Sequence, residues 1–280
     1  MSQPQAPAVE RVIEPPRGFM PINFRELWDY RELFLILVWR DVSVRYKQSM
    51  LGVLWAILAP LITMTIFTVI FGRVAKIPTN GIPYPIFSFS GLLPWLFFAQ
   101  ALQVSSASMV AERNLITKVY FPRIILPAAA TLAPLVDFLI ACLILGAMMV
   151  YYGFVPTWHA LYLIPLCVLW ALATALGVGF WLGALNVYFR DVKMIIPFLI
   201  QVWMFASPVV YPASLFPQKW QWLYGLNPMA GVIEGFRWAM LGQGVAPGPV
   251  VLASVLVSVL LLGGGVYFFR RMERSFADVV

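Results

Sequence analysis

The feature that most limits the fold of this chain is the length of its stretches without a charged side chain. Residues 51–72 contain no Asp, Glu, Lys or Arg, and neither do residues 77–111 or the 52 residues of 138–189. Charged residues make up 11% of the chain and hydrophobic residues 61%, whereas soluble domains have roughly 25% charged residues. So few charged side chains cannot cover the surface of a water-soluble fold. We therefore expect a membrane protein, and we exclude a disordered chain or a disulfide-stapled secreted module.

The apolar stretches predict how often the chain crosses the membrane. A helix needs about 20 apolar residues to cross the hydrocarbon core of a bilayer. The stretch 138–189 is too long for one helix, and the turn-forming residues 153–158 divide it. We therefore predict an all-α polytopic membrane protein with one six-span domain over residues 50–270. The predicted spans are 51–72, 85–104, 124–152, 161–187, 194–210 and 250–269.

The basic residues predict the orientation, because Lys and Arg are enriched in cytoplasmic segments. With the N-terminus inside, the four inner segments hold 15 of the 19 Lys and Arg residues. Both termini, a Pro-rich tail at 1–22 and a short tail at 271–280, are therefore predicted to be cytoplasmic. This distribution also explains the net charge of +7, so membrane lipids are expected partners and nucleic acid is not.

Residues 23–49 have the pattern of a helix that lies on the membrane rather than crossing it. Arg25 and Arg40 fall on a charged face, and Trp28 falls on the opposite, apolar face. We predict an interfacial amphipathic helix on the inner surface. It is either a plain anchor or a moving gate, and the candidate gate residues are Arg25, Trp28, Arg40 and Arg45.

Residues 213–246, on the predicted outer side, are too apolar for a solvated loop and too interrupted for a span. Asn227 followed by Pro228 is typical of a helix start. Glu234 and Arg237 are three residues apart on the helix that follows, so they can pair. We predict an outer-leaflet re-entrant helical hairpin, with an aromatic belt at the membrane interface as the alternative.

Two short cytoplasmic segments mix acidic with basic residues. Glu112, Arg113 and Asn114 open the first, and Arg190 and Asp191 lie in the second. Topology alone requires only basic residues, so the acidic ones favour docking onto a partner protein. Ordinary helix caps are the alternative.

Residue types that perform catalysis or bind metals are scarce. The chain has one His and two Cys, and it contains no H-E-x-x-H or G-x-S-x-G motif and no G-x-x-x-x-G-K-[ST] phosphate loop. We therefore expect no catalytic residues, no metal site and no cofactor in this chain. If the chain transports a cargo actively, the energy must come from another chain.

Asp137 is the one acidic residue deep in a predicted span, which marks it as a functional candidate. No basic residue lies at the same depth in the other predicted spans. We predict that Asp137 is protonated or hydrogen-bonded to a neighbour such as Gln201. A structural role and a proton-carrying role are both open.

Four motifs, in this order, resemble the permease subunit of ABC-type polysaccharide exporters, which move O-antigen, capsular polysaccharide or teichoic acid. The resemblance covers roughly residues 23–275. The motifs are RDVSVRYKQSMLGVLWAILAP (40–60), ERNLITKVYFPRIILP (112–127), YFRDVK (188–193) and LNPMAGVIEGFRWAM (226–240).

This resemblance implies a homodimer of permeases that works with two ATP-binding subunits in the cytoplasmic (inner) membrane of a prokaryote. The ATP and Mg²⁺ would be bound by those partner ATPase subunits. The implied cargo is a polysaccharide, carried on a lipid. Residues 228–240 match the outer re-entrant helix of the family. The residues that match its two ATPase-coupling segments are Glu112, Arg113 and Asn114 in the first and Arg190 and Asp191 in the second.

A polysaccharide has apolar ring faces that slide along aromatic side chains, and aromatic residues are 15% of this chain. Candidate channel-lining residues are Trp55, Trp203, Tyr211 and Tyr224, for which packing or interface anchoring is the alternative. For the whole chain, the alternatives are an ABC permease for a drug or simple lipid and a non-transporting structural membrane protein.

Overall fold

The computed structural model of the protein describes residues 24–47, 52–189, 191–215, 224–242, 248–273 and 276. Every regular element in these residues is helical and none is a strand, which confirms the predicted all-α fold. The α-helices are α1 (Phe24–Asp29), α2 (Arg31–Lys47), α3 (Gly52–Phe67), α4 (Tyr84–Ala111), α5 (Arg113–Lys118), α6 (Ile125–Ala130), α7 (Pro134–Tyr152), α8 (Ala160–Tyr188), α9 (Val192–Phe205), α10 (Pro228–Leu241) and α11 (Pro249–Met272).

Five helical segments among these residues are long and apolar enough to cross a membrane, and they correspond to predicted spans one to four and six. The predicted fifth span, 194–210, is occupied by the 14-residue helix α9, which is shorter than a full crossing. The exact number of spans therefore stays a prediction. The five segments are Leu54–Val74, Tyr84–Ala111, Ile125–Tyr152, Ala160–Tyr188 and Val251–Met272.

Local sequence explains where these segments bend or end. The first continues from α3 into a π-helical stretch, Thr68–Val74. The third is divided into α6 and α7 just before Pro134, which takes the first position of α7, where its missing N–H costs nothing. Gly153 ends α7 with a φ of 74°, a left-handed conformation that favours glycine. The predicted turn between spans three and four is confirmed.

Helix α4 lies at the centre of the bundle. Trp95, Phe89 and Phe98 are fully buried on it, and it packs against α3, α7, α8 and α10. A helix that is apolar on all sides is buried on all sides. The structure extends this helix to Ala111, seven residues beyond the predicted span, because small and polar residues of its last turns are also buried.

Helices α8 and α11 approach each other closely at Gly177. A Cβ atom on Gly177 would lie 2.6 Å from the backbone nitrogen of Leu262. Small residues allow membrane helices to pack backbone against backbone. The C-terminal end of α11 lies beside the predicted first coupling segment, where the Arg123 N–H donates to Glu273.

The predicted interfacial helix consists of α1 and α2. Its apolar side chains divide into two groups: Leu37 is buried against the bundle, while Trp28 and Trp39 are more than two-thirds exposed. Leu37 shares a hydrophobic cluster with Ile116 of α5 and Phe269 of α11. The interfacial helix, the first coupling segment and the last span therefore meet in one cluster.

Candidate functional site

The predicted first coupling segment, residues 112–123, is bonded to the predicted interfacial helix by an ion pair between Arg40 and Glu112. The Nη2 atom of Arg40 donates to Glu112 Oε1 at 2.7 Å, and Nη1 donates to Oε2 at 3.1 Å. Arg40 also donates to Asp41. Burial lowers the pKa of Arg40, but the hydrogen bonds with Asp41 and Glu112 outweigh it and raise the pKa overall. Arg40 is therefore charged at any physiological pH.

The predicted docking residues of this segment point in two directions. Glu112 points inward to Arg40, and Ile116 is buried. Arg113 and Asn114 are exposed, as are Thr117 and Lys118 further along α5. The segment therefore has an inner face bonded to the bundle and an outer polar face.

The far end of the same segment is bonded to α1. Tyr30 donates its hydroxyl to the Tyr120 carbonyl at 3.1 Å, and Tyr120 donates to Glu26 at 3.4 Å. The negative charge of Glu26 raises the pKa of Tyr120, which keeps its hydroxyl protonated as a donor.

The segment is also bonded to the end of α11. The backbone N–H of Arg123 donates to Glu273 Oε1 at 3.0 Å, and its guanidinium donates to the Glu273 carbonyl. Sequence reasoning did not single out Arg123 or Glu273. They are 150 positions apart, and no local pattern links them.

The second coupling segment is described in part. Arg190 lies outside the described residues, and Asp191 is exposed at the start of α9. Asp191 occupies the N-cap position of α9, yet its side chain makes no capping hydrogen bond in the part of the chain that the structure describes. The same holds for Glu112 at the start of α5. An ordinary capping role therefore does not account for either acid.

Asp137 is bonded to the end of the interfacial helix. Arg45 Nη1 lies 2.7 Å from Asp137 Oδ2, and the Tyr46 hydroxyl donates to Oδ1. The predicted partner Gln201 is wrong, since Gln201 is exposed on α9. The prediction from the sequence considered only partners within the predicted spans. Arg45 instead belongs to α2, which the fold brings against the first turn of α7. Asp137 therefore pairs with a cation.

The other two candidate gate residues lie near the start of the interfacial helix. Arg25 and Trp28 are both exposed on α1. The guanidinium of Arg31 stacks over the Trp28 ring at 5.4 Å. Neither candidate takes part in the Arg40 or Arg45 ion pairs.

Helix α10 begins as predicted. Asn227 is its N-cap and accepts a hydrogen bond from the Met229 N–H at 3.0 Å, and Pro228 takes the first helical position. The helix is buried against α4, α8 and α11. Its surroundings are protein, which is the environment that a re-entrant helix would require. The re-entrant hairpin stays a prediction, and its residues 216–223 and 243–247 lie outside the described part.

The predicted pair of Glu234 and Arg237 forms on α10. The two side chains are 3.0 Å apart, and the Arg237 side chain is 2% exposed. Arg237 also donates to the Pro208 carbonyl at 2.8 Å and lies 4.0 Å from the Phe87 ring. It therefore connects α10 to α4 and to the turn that follows α9.

Three of the four aromatic candidates meet in one cavity. Trp203, Tyr211 and Tyr224 line a cavity of about 770 Å³ between α9, α10 and α11. The Trp203 indole N–H donates to Asn227 Oδ1 at 2.9 Å. The fourth candidate, Trp55, lines a separate cavity of about 580 Å³.

Comparison with known proteins identifies the family. Residues 32–241 match the family model of the ABC-2 type transporter. The chain belongs to the ABC-2 transporter family. An O-antigen export system permease protein RfbA of Myxococcus xanthus is 33% identical over 259 residues, covering 91% of this chain and 98% of the relative. A protein of the same name from Klebsiella pneumoniae is 28% identical over 261 residues, covering 93% and 98%.

The polysialic acid transport protein KpsM of Escherichia coli is 24% identical to this ABC-2 chain over 239 residues, covering 84% of the chain and 92% of the relative. These relatives are transport proteins rather than enzymes. Membership of the ABC-2 family implies an integral inner-membrane protein with an ATP-binding partner subunit.

Proposed function

We propose that this chain is the transmembrane permease of an ATP-driven exporter that moves a lipid-linked polysaccharide across the cytoplasmic membrane. The observation that carries the proposal is that relatives named for O-antigen export match it over more than nine-tenths of its length. The complex would hold two copies of this chain and two ATP-binding subunits, with both termini of each permease in the cytoplasm.

The two faces of the first coupling segment support a mechanical role. Arg113 and Asn114 are exposed and available to a cytoplasmic partner, while Glu112 is bonded to Arg40. A partner that moves α5 would therefore pull on α2 through this ion pair. Arg190 and Asp191 would be the second docking point.

The bonds of α2 favour the gate over the plain anchor. Arg40 links α2 to the coupling segment, and Arg45 links it to Asp137 of α7. An anchor needs apolar contact with lipid and no specific partners, whereas a gate must be joined to both the moving part and the span. Arg40 and Arg45 supply these two joints.

The cavity lined by Trp203, Tyr211 and Tyr224 supports an aromatic pathway for sugars. Pyranose rings pack their C–H faces against aromatic rings and present their hydroxyls sideways. The hydrogen bond from Trp203 to Asn227 holds the indole plane in one orientation. Such a surface binds successive sugars weakly, which is what a moving polymer requires.

The experiment that tests the proposal uses the chain purified with its ATP-binding subunit and placed in proteoliposomes. ATP should drive a lipid-linked polysaccharide across the membrane, and Arg113→Ala should reduce this flux while Arg73→Ala, which removes an exposed cation on the predicted outer side, leaves it intact. Transport of a drug or simple lipid without glycan would favour the alternative cargo. A complex that assembles yet moves none of these would refute transport.

A further inference from the structure

A cavity of about 580 Å³ lies where the end of α2 meets the first three spans. Its walls come from α3, α4 and α7, and it is separate from the cavity around Trp203. Asp137 lies in the first turn of α7, well inside the third span, which begins with α6. The cavity lies beside the end of α2, the helix that we propose as the gate, because Arg45 of α2 reaches Asp137 there. Its main lining residues are Arg45, Trp55, Phe97, Gln100, Asp137 and Phe138.

The charges of this cavity cancel. Arg45 and Asp137 are the charged residues that line it, and their side chains are 2.7 Å apart. The pair has no net charge, so its electrostatic attraction for a phosphate or for a free cation is weak. The site therefore favours a neutral ligand.

Gln100 supplies an unused hydrogen-bond acceptor. Its side-chain oxygen is buried and has no hydrogen-bond partner among the described residues. Buried polar atoms are normally hydrogen-bonded, and one that is not requires an explanation such as a missing ligand. An acyl chain has no hydrogen-bond donor and would leave this oxygen without a partner. The ligand should therefore carry a hydrogen-bond donor.

The rest of the wall is apolar and aromatic. Phe97 and Phe138 are buried with ring centroids 5.5 Å apart, and the Trp55 side chain, 61% exposed, lies at the mouth. A ligand that fits must therefore combine hydroxyl donors with an apolar face. A neutral sugar ring has both.

We propose that this cavity binds one neutral sugar ring of the glycan lipid beside the gate helix. The hydroxyl groups of the sugar donate to Gln100, and its C–H face packs on the aromatic wall at Trp55. Binding here would place the sugar against the Arg45–Asp137 pair, which joins the gate helix to the third span. The inference rests on the proposed export function and adds a recognition site to it.

The test measures how much tighter the complex of permease and ATP-binding subunit, in lipid nanodiscs, binds a glycosylated lipid than the bare lipid. The probes are farnesyl diphosphate joined to a neutral disaccharide, farnesyl diphosphate alone, and phosphatidylglycerol as a competitor. The wild-type complex should prefer the glycosylated probe by about tenfold. Gln100→Leu and Trp55→Ala should each reduce this preference to about two-fold or less. Gln103→Leu, which changes an exposed glutamine on the same helix outside the cavity, should retain it.

An unchanged preference in both cavity variants would overturn the proposal. Equal loss of affinity for both farnesyl probes would mean that the cavity binds the lipid carrier, and displacement of the glycosylated probe by phosphatidylglycerol would assign it to membrane lipid. If the Gln100→Leu complex does not assemble, the binding preference of Trp55→Ala, a change at an exposed residue, decides for or against the site. Export of the full polysaccharide by the wild type is measured in parallel. If the wild type exports and both cavity variants keep the binding preference, this site alone is refuted. If the wild type does not export, the proposed function is refuted.

Discussion

Arg40 and Glu112 are 72 positions apart in the sequence and form a two-hydrogen-bond ion pair, with distances of 2.7 and 3.1 Å. Arg40 belongs to the predicted interfacial helix, and Glu112 begins the predicted first coupling segment. Tyr120 and Arg123 bond the far end of that segment to α1 and to Glu273. Motion of the segment would therefore reach the interfacial helix and the last span together.

Removing the charge of Arg40 should uncouple ATP hydrolysis from export. The pair is partly exposed, with side chains 39% and 26% accessible, so its loss should cost stability only about 0.5–1 kcal/mol. Arg40→Gln and Glu112→Gln should each lower the amount of glycan exported per ATP by more than about threefold, an effect of roughly 0.7 kcal/mol. Arg31→Gln, on the exposed side of the same helix, is the control. Equal export per ATP in all three variants would contradict the proposed link.

The outer face of α5 should determine binding of the ATP-binding subunit. Arg113→Ala and Asn114→Ala should each weaken the affinity by about fivefold or more, because a few central contacts dominate protein interfaces. Glu112→Gln should leave this affinity near the wild-type value, since Glu112 faces the bundle. Affinity is measured by titrating the purified subunit onto the permease. The opposite ranking would place the docking surface elsewhere.

Asp137 should act through its ion pair and not as a proton carrier. Asp137→Asn and Arg45→Gln should each lower the midpoint of thermal unfolding, while the double variant should lower it by less than the sum, as contacting partners do. The export rate of Asp137→Asn should keep the pH dependence of the wild type. A shifted or flattened pH profile in this variant would instead support a proton-carrying role.

Arg237 should be among the least replaceable residues. Breaking a buried charge pair costs about 3–5 kcal/mol, and Arg237 also holds the Pro208 carbonyl and the Phe87 ring. Even Arg237→Lys should lower the yield of folded protein. A lysine ammonium cannot make the ion pair with Glu234, the hydrogen bond to the Pro208 carbonyl and the stacking contact with Phe87 at once. The measurement is the yield of folded protein, and Arg73→Lys, the same exchange at an exposed residue, is the control. Normal yield of Arg237→Lys would show that these contacts are dispensable.

Trp203 should contribute a ring surface to glycan movement. Trp203→Ala should slow export several-fold, while Trp203→Phe, which keeps a ring and loses the bond to Asn227, should slow it less. Export rates at saturating ATP make the comparison, with Trp158→Phe and Trp158→Ala as controls at an exposed position. Equal rates for both Trp203 variants would argue against ring stacking.

Local features of the sequence predicted the helical architecture well. Apolar runs located four of the five long segments within three residues at each end, while the second ended seven residues later than predicted. Gly153 ended α7, and Asn227 with Pro228 began α10. Each of these features lies within a single helix or at its end, so it can be recognised from the sequence without knowing the tertiary structure. The length of α9 was less predictable, because an apolar stretch extends through the turn at Pro208 where the helix has already ended.

By itself, the sequence determined that the chain is helical, membrane-bound and built from the motifs of an ABC permease, because hydrophobicity and short motifs are properties of neighbouring residues. Only the tertiary structure decided the partners of the isolated charges. Asp137 pairs with Arg45 from the interfacial helix, Glu112 faces Arg40 rather than outward, and three aromatic candidates meet while Trp55 does not. These contacts join residues that are distant along the chain. They form because apolar helices pack together, and that packing leaves no pattern of charged residues in the sequence.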